Sequence, residues 1–249
     1  MEVRELHIQA DKGLKFSATF YMREINLLAG YPEPSSPRYV GADIRTIKNR
    51  IAASCRGKEF FDGARDNGYG GYHYDGRWKP IVKNMCEEYS LNNESSILQI
   101  GCEKGFMLHD FKELLPNVRV VGAESSKYAI NNSMDSVRDN IVHCEIDDLP
   151  FADQEFDLVI AANIVYTKNL KGVIDCLREI ERVKKHYSFI TLGSYENLKE
   201  KQLFEWWTLL GCTVLHRTDW LEVMKHADYT GDYRFTDSKT LKLTESIKD

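Results

Sequence analysis

Three groups of residues in this 249-residue chain have the types and spacing needed to hold a nucleoside. Gly101 and Gly105 in "QIGCEKGF" mark a tight turn from a strand into a helix. Small residues there let the backbone approach a ligand closely, and the free N–H groups at the helix start favour a carboxylate. Glu124 follows about twenty residues later at the end of the next strand, where an acid accepts both hydroxyl hydrogens of a ribose. Glu145 and Ile146, before "LPF", close the strand after that. Taken singly, such glycines also suit a plain turn or helix packing, and most acids at strand ends are solvated surface carboxylates. Their order along the chain carries the reading. A nicotinamide site would ask for GxGxxG in the first turn, which "GCEKGF" does not supply.

The elements that must position these groups alternate between strand and helix, which predicts a parallel sheet covered on both faces. Strands are expected at 96–101, 118–124, 141–146, 156–163 and 187–194, with shorter ones near 212–215 and 233–236. Helices are expected at 105–115, 126–139, 170–180, 199–210 and 219–227. Ser125 or Ser126 is placed to cap the second of these. The first 80 residues differ in texture, with the turn-rich "YPEPSSPRYVG" and the glycine-aromatic segment "FFDGARDNGYGGYHYDGRW". They predict a cap over residues 1–80, including helices at 22–28 and 44–53, followed by a core over 81–249.

Composition narrows the possibilities. With 43% hydrophobic and 29% charged residues the chain is that of an ordinary globular protein, and no apolar run approaches the roughly 20 residues of a membrane span. The N-terminal "MEVRELHIQADKGLKF" lacks the apolar stretch of a secretory signal, so a cytoplasmic location is expected. Six scattered cysteines without a CxxC pair read as reduced thiols, and no metal site is expected. A net charge of −5 gives no broad footprint for a polyanion, which makes nucleic acid a poor first guess.

The stretch Ile97 to Tyr195 resembles the core of class I S-adenosylmethionine-dependent methyltransferases, in which "VLDVGCGxG", "GxDxS" and "DAxxLPFxDxxFDLV" follow one another. Here they stand as "ILQIGCEKG", "GAESS" and "EIDDLPFADQEFDLV", followed by "SFITLGS". More narrowly, "FFDGARDNGYGGYHYDGRW", "GFMLHDFKELLP", "EIERV" and "YTGDY" are similar to a bacterial subgroup often associated with surface-polysaccharide or other secondary biosynthesis. The resemblance implies a Rossmann-like α/β fold with a mainly parallel seven-stranded sheet and an N-terminal cap. It also implies S-adenosylmethionine as cofactor, with Gly101, Cys102 and Gly105 lining its methionine part. Glu124 would hold the ribose with Ser125 beside it, Glu145 and Ile146 would contact the adenine, and Asn163 would lie beside the sulfonium.

Two positions depart from the family pattern: Gln99 stands where Asp is usual, and Glu103 where Gly or Ala is usual. Either the acid has moved from 99 to 103, or Glu103 faces solvent and the site binds cofactor weakly. The segment 62–78 is the candidate lid, with Tyr69 of "GYGGY" placed to cover a cation. Arg77 is expected either at the cofactor carboxylate or an anionic acceptor, or in a surface salt bridge. Tyr166, Tyr195 and His216 are the candidate bases, whereas His109 and His143 read as structural; the subgroup tends to have His where Tyr166 stands. The expected activity is methyl transfer to an oxygen or nitrogen of a small molecule, a sugar or nucleotide-linked precursor among them. The expected protein is a monomer or homodimer acting without nucleic acid or membrane. The alternatives are a catalytically weakened paralogue serving as partner subunit or ligand-binding protein, and, less favoured by charge, an RNA or protein methyltransferase.

Overall fold

The computed structural model describes residues 22–246. The N-terminal stretch on which the cytoplasmic expectation rests, and the first part of the 1–80 cap, lie outside them. In chain order the cap supplies β1 (Arg38–Val40), α1 (Ile47–Ser54) and α2 (Lys58–Phe61), and α3 (Lys79–Glu88) leads into the sheet. There follow β2 (Ser96–Ile100), α4 (Phe106–Leu114), β3 (Arg119–Glu124), α5 (Lys127–Asn131), β4 (Ile141–His143) and β5 (Phe156–Ala161). The remainder is α6 (Leu170–Val183), β6 (Lys184–Tyr195), α7 (Leu198–Trp207), β7 (Leu215–His216), α8 (Arg217–His226), β8 (Asp232–Thr236) and β9 (Leu243–Glu245).

The sheet has seven strands in the order β4-β3-β2-β5-β6, with β8 and the two-residue β7 pairing along different parts of the long β6. Every one of these pairings is parallel. The chain winds outward from β2 in one direction through β3 and β4, then returns to build β5, β6 and β8 on the other side. The strand order therefore switches between β2 and β5, and a crevice opens at their carboxyl ends, where ligands bind in such sheets.

Both faces are buried, which is why the strands read as continuous apolar runs and not as alternating ones. Along β2, Leu98 and Ile100 face α6, α7 and α8 through Val173, Leu177, Ile180, Phe204 and Trp220. Ile97 faces the other way, with Val120, Leu158 and Phe189, onto α3 and α4 through Ile81, Met85, Met107 and Phe111. A third cluster, Ala53, Phe60, Phe61, Tyr72, Phe106 and Ala129, joins the cap to the start of α4 and to α5. β1 pairs in parallel with β9, so the cap also closes against the chain's end.

Several sequence expectations are corrected here. Residues 22–28 do not form a helix: Glu24 bridges Tyr233 beside β8, and Arg23 donates to Asp232 at 2.9 and 2.6 Å. An available sheet edge and a buried carboxylate outweigh local helix propensity. The helix expected over 126–139 stops at Asn131, where the run Asn131, Asn132, Ser133 offers side chains that compete for backbone partners. Ser126, and not Ser125, is its cap, accepting from Ala129 N at 3.1 Å.

Candidate functional site

The turn after β2 is built from backbone conformations that glycine adopts most readily. Gly101 and Gly105 have φ of 66° and 74°. A Cβ on Gly101 would lie 2.6 Å from Ile164 Cγ1, and one on Gly105 would lie 2.7 Å from Val137 Cγ2. The first contact ties the turn to the end of β5, across the switch point. Below it, Gln99 is buried, and its Oε1 has no hydrogen-bond partner within the protein. A buried acceptor left unpaired costs about 1–3 kcal/mol, which makes this oxygen a candidate to receive a donor from a ligand.

Glu124, 1% exposed, closes β3 directly against this turn. Its Oε2 accepts from the Glu103 backbone N–H at 2.8 Å and its Oε1 from Ser126 N–H at 2.7 Å. The glycine turn and the acid therefore form one wall, not two distant features. A third donor reaches Glu124 from the cap: Arg56 Nη2 lies 3.3 and 3.4 Å from the two oxygens.

Glu103 occupies the left-handed region with φ 54°, unusual for a residue with a side chain. Its carboxylate is half-buried and accepts from the Tyr69 hydroxyl at 2.7 Å. Burial pushes this carboxyl above the ordinary range, against the pull of Arg56 and Tyr69. Tyr69 in turn stacks on Tyr72 at 4.2 Å. Glu103 is thus turned toward the cap, where Tyr69 holds it.

The segment proposed as a lid is anchored. Lys104, 5% exposed and inside the glycine turn, donates at 2.8 Å to both oxygens of Asp62 and at 2.8 Å to Tyr72 O. Asp62 also accepts from the Tyr128 hydroxyl at 2.7 Å and from Tyr72 N at 3.1 Å. These donors outweigh partial burial and hold the Asp62 carboxyl down to about 2. On its other side the cap is fixed by Arg50, which donates to Thr208 O at 2.6 Å and Glu205 O at 2.7 Å at the end of α7, and by Arg45, which donates to Trp207 O.

Between cap and sheet lies a cleft of about 570 Å³. Ser125, Glu145, Ile146 and Ile164 line it from the sheet, and Ile47, Ile51 and Arg56 from α1 and the residues just after it. Leu209 and Leu210 complete its apolar wall. Ile146 is buried, whereas Glu145 is exposed and paired with Lys168 at 2.8 Å. His143 reaches the same corner, its Nε2 3.0 Å from Ser125 O. Asn163, at φ 57° after β5, has Oδ1 3.0 Å from Thr191 Oγ1, which donates to it.

Other sequence candidates lie elsewhere. Arg77 forms a two-pronged salt bridge with Asp75 at 2.8 and 2.6 Å, the surface alternative of the two expected for it. Tyr166 is buried against Phe204 and does not line the cleft; burial raises its hydroxyl pKa well above the ordinary value, which is the wrong direction for a base. Tyr195 and His216 lie together, ring centroids 5.8 Å apart, and likewise do not line the cleft. Tyr195 is five residues beyond Ile190, which is level with the end of β5, a distance of about 16 Å along the strand. Sequence reasoning missed Arg56, Ile47, Ile51 and the Asp62–Lys104 pair. A lysine inside a glycine turn was the one available signal, because a charge there needs either solvent or a partner.

Among the described residues no three or more His, Cys, Asp or Glu side chains are grouped to hold a metal ion, and no helix is long and apolar enough to cross a membrane.

Residues 98–191 match the family model described as a methyltransferase domain. Malonyl-[acyl-carrier protein] O-methyltransferase of Bacillus cereus is 22% identical over 181 residues, spanning 68% of this chain and 66% of that protein. The match thus spans just under two thirds of this curated relative. Among solved structures, the YcgJ protein of Bacillus subtilis has a TM-score of 0.49 at 16% identity, covering 59% of this chain and 66% of that one. A Bacillus halodurans structure described as a candidate methyltransferase has the same TM-score and identity, with coverage of 59% and 67%. Residues 98–191 are thus similar to a methyltransferase domain, the fold around them is Rossmann-like, and the cofactor that such a domain implies is S-adenosylmethionine.

The residues present fit that cofactor. Gln99 offers an unpaired buried acceptor below the glycine turn, and Glu124 stands at that turn with both oxygens facing Arg56.

Proposed function

We propose that this protein transfers the methyl group of S-adenosylmethionine to an oxygen or nitrogen of a small molecule. The observation that carries the reading is the 2.8 Å hydrogen bond from Glu103 N–H to Glu124 Oε2, which puts the ribose acid and the methionine turn side by side. When bound, the cofactor supplies an electrophilic methyl on a sulfonium. In this reading Glu124 accepts the ribose hydroxyls, and the N–H groups opening α4 receive the carboxylate. Gln99 Oε1 accepts from the ammonium, with Glu103 supplying the charge that Gln99 lacks. Cys102 and Gly105 line the methionine part, Ser125 and Ile146 flank the nucleoside, and Glu145 lies at the cleft mouth. Asn163 stands at the floor, and Tyr69 closes the site above Glu103. The cap excludes water and orients the acceptor, which is where most of the rate enhancement of a simple displacement arises.

Sugars and nucleotide-linked precursors are the first acceptors to test, because the resemblance of the 60–78 segment points there. The Bacillus cereus relative is an O-methyltransferase acting on malonyl-[acyl-carrier protein], so a carboxylate oxygen belongs in the same panel. Calorimetric titration with S-adenosylhomocysteine, followed by a mass-shift screen of that panel, tests the proposal. Absence of saturable heat would leave the paralogue reading, favoured by Gln99 and by the Arg56 contact on Glu124, as the better one. The proposal places the protein in the cytoplasm, as a monomer, a homodimer or beside a paralogue, with the residues before 81 as cap.

A further inference from the structure

Glu124 has four lone-pair positions, and its two short bonds come from backbone N–H groups, Ser126 at 2.7 Å and Glu103 at 2.8 Å. Among the described residues the one side-chain donor on it is Arg56 Nη2, equidistant from both oxygens at 3.3 and 3.4 Å. That is the place where the two ribose hydroxyls would have to arrive. Arg56 also lines the nucleoside cleft. Its backbone is in the left-handed region at φ 43°, and its carbonyl accepts from Ser126 Oγ at 2.5 Å, so the residue is pinned beside the acid. Its guanidinium carbon lies 5.6 and 5.9 Å from the rings of Phe60 and Phe61.

We infer that Arg56 is an intramolecular competitor of the cofactor: it latches the cap onto Glu124, and the ribose hydroxyls must displace it to bind. The inference rests on the cofactor reading given above. Two features make the latch easy to open. Its bonds are longer than the 2.7–2.9 Å of strong charge-assisted pairs, and Arg56 Nε is buried without a partner. The guanidinium also has somewhere to go, because the Phe60 and Phe61 faces remain beside it and Glu103 is the next carboxylate within its field.

Calorimetric titration of the full-length protein with S-adenosylhomocysteine and with S-adenosylmethionine, for wild type and Arg56→Gln, tests the latch. Both ligands present the same ribose, so both are expected to tighten, S-adenosylhomocysteine roughly tenfold for the loss of one long charge-assisted bond and the cationic S-adenosylmethionine at least as much. Tightening of the cationic ligand alone would mean that Arg56 acts only through its field, and weakening of both would mean that it holds Glu124 in place; either result overturns the latch. Wild-type binding with no gain in the variant sinks the latch alone, whereas no binding by either protein removes the cofactor reading and the latch together. Arg56→Lys, which keeps the charge without the reach of the planar fork, should fall between the two. A wild-type crystal with S-adenosylhomocysteine gives a check independent of any variant: Arg56 Nη2 still on Glu124 beside the bound ribose would refute the inference.

Discussion

Replacing Asp62 with Ala should loosen the cap and destabilise the whole protein, because it strands a buried cation. Asp62 is 18% exposed at its side chain and Lys104 is 6% exposed, and Lys104 Nζ is 2.8 Å from both Asp62 oxygens. The native carboxyl is held at about 2 instead of 3.8. At about 1.4 kcal/mol per unit, that shift corresponds to roughly 2 kcal/mol of stabilisation by the charged form at neutral pH. The variant also leaves Lys104 without its charge partner, and breaking a buried pair from one side costs about 3–5 kcal/mol. We therefore expect Asp62→Ala to lower the unfolding free energy by about 3 kcal/mol, and Asp62→Asn, whose amide oxygen can still accept, by about 2 kcal/mol. Because the folded pKa is depressed, this contribution is complete above pH 3.8 and fades as the pH falls toward 2. Urea unfolding at pH 7 with the slope checked for constancy measures the loss, and the double variant Asp62→Ala with Lys104→Met should recover part of it. A loss below about 0.5 kcal/mol for Asp62→Ala would refute the reasoning, since that is the range of an ordinary surface change.

Three further outcomes are expected. Glu103→Gly should raise stability by about 1 kcal/mol in chemical denaturation, by removing a side chain from the left-handed region at φ 54°. The same change should weaken S-adenosylmethionine binding, and unchanged affinity would dismiss the idea that the acid has moved from position 99. Trp220, fully buried with Nε1 donating to Gly193 O at 2.8 Å, should cost about 2 kcal/mol as Trp220→Phe, read as a lower urea midpoint. Asp110, 2% exposed, has Oδ2 unpartnered, and burial raises its pKa. A raised carboxyl favours folding below its unfolded pKa, and that contribution is lost as the pH rises through the folded value. Asp110→Asn, which keeps an acceptor for the Tyr74 hydroxyl at 2.6 Å, should therefore melt higher than wild type at pH 7, with the gain narrowing toward pH 4. A gain that instead grows in acid would contradict this.

The sequence by itself determined the succession of strands along the chain, the glycine turn and the acid that follows it. These are local properties: apolar runs of strand length, glycines at positions of positive φ, and one carboxylate at a strand end. Winding a parallel sheet then leaves those strand ends at one edge, so ordered spacing along the chain becomes neighbourhood in space. The tertiary structure alone decided what each side chain meets. Arg56 reaches Glu124 across 68 positions, Lys104 reaches Asp62 across 42, and Tyr69 reaches Glu103 across 34. In each case a charge or hydroxyl taken from water must find its partner wherever the fold has brought one. The same rule turned residues 22–28 away from the helix their sequence suggests, since the edge of β8 and the Asp232 carboxylate, 209 positions from Arg23, offered those residues more than a local turn could.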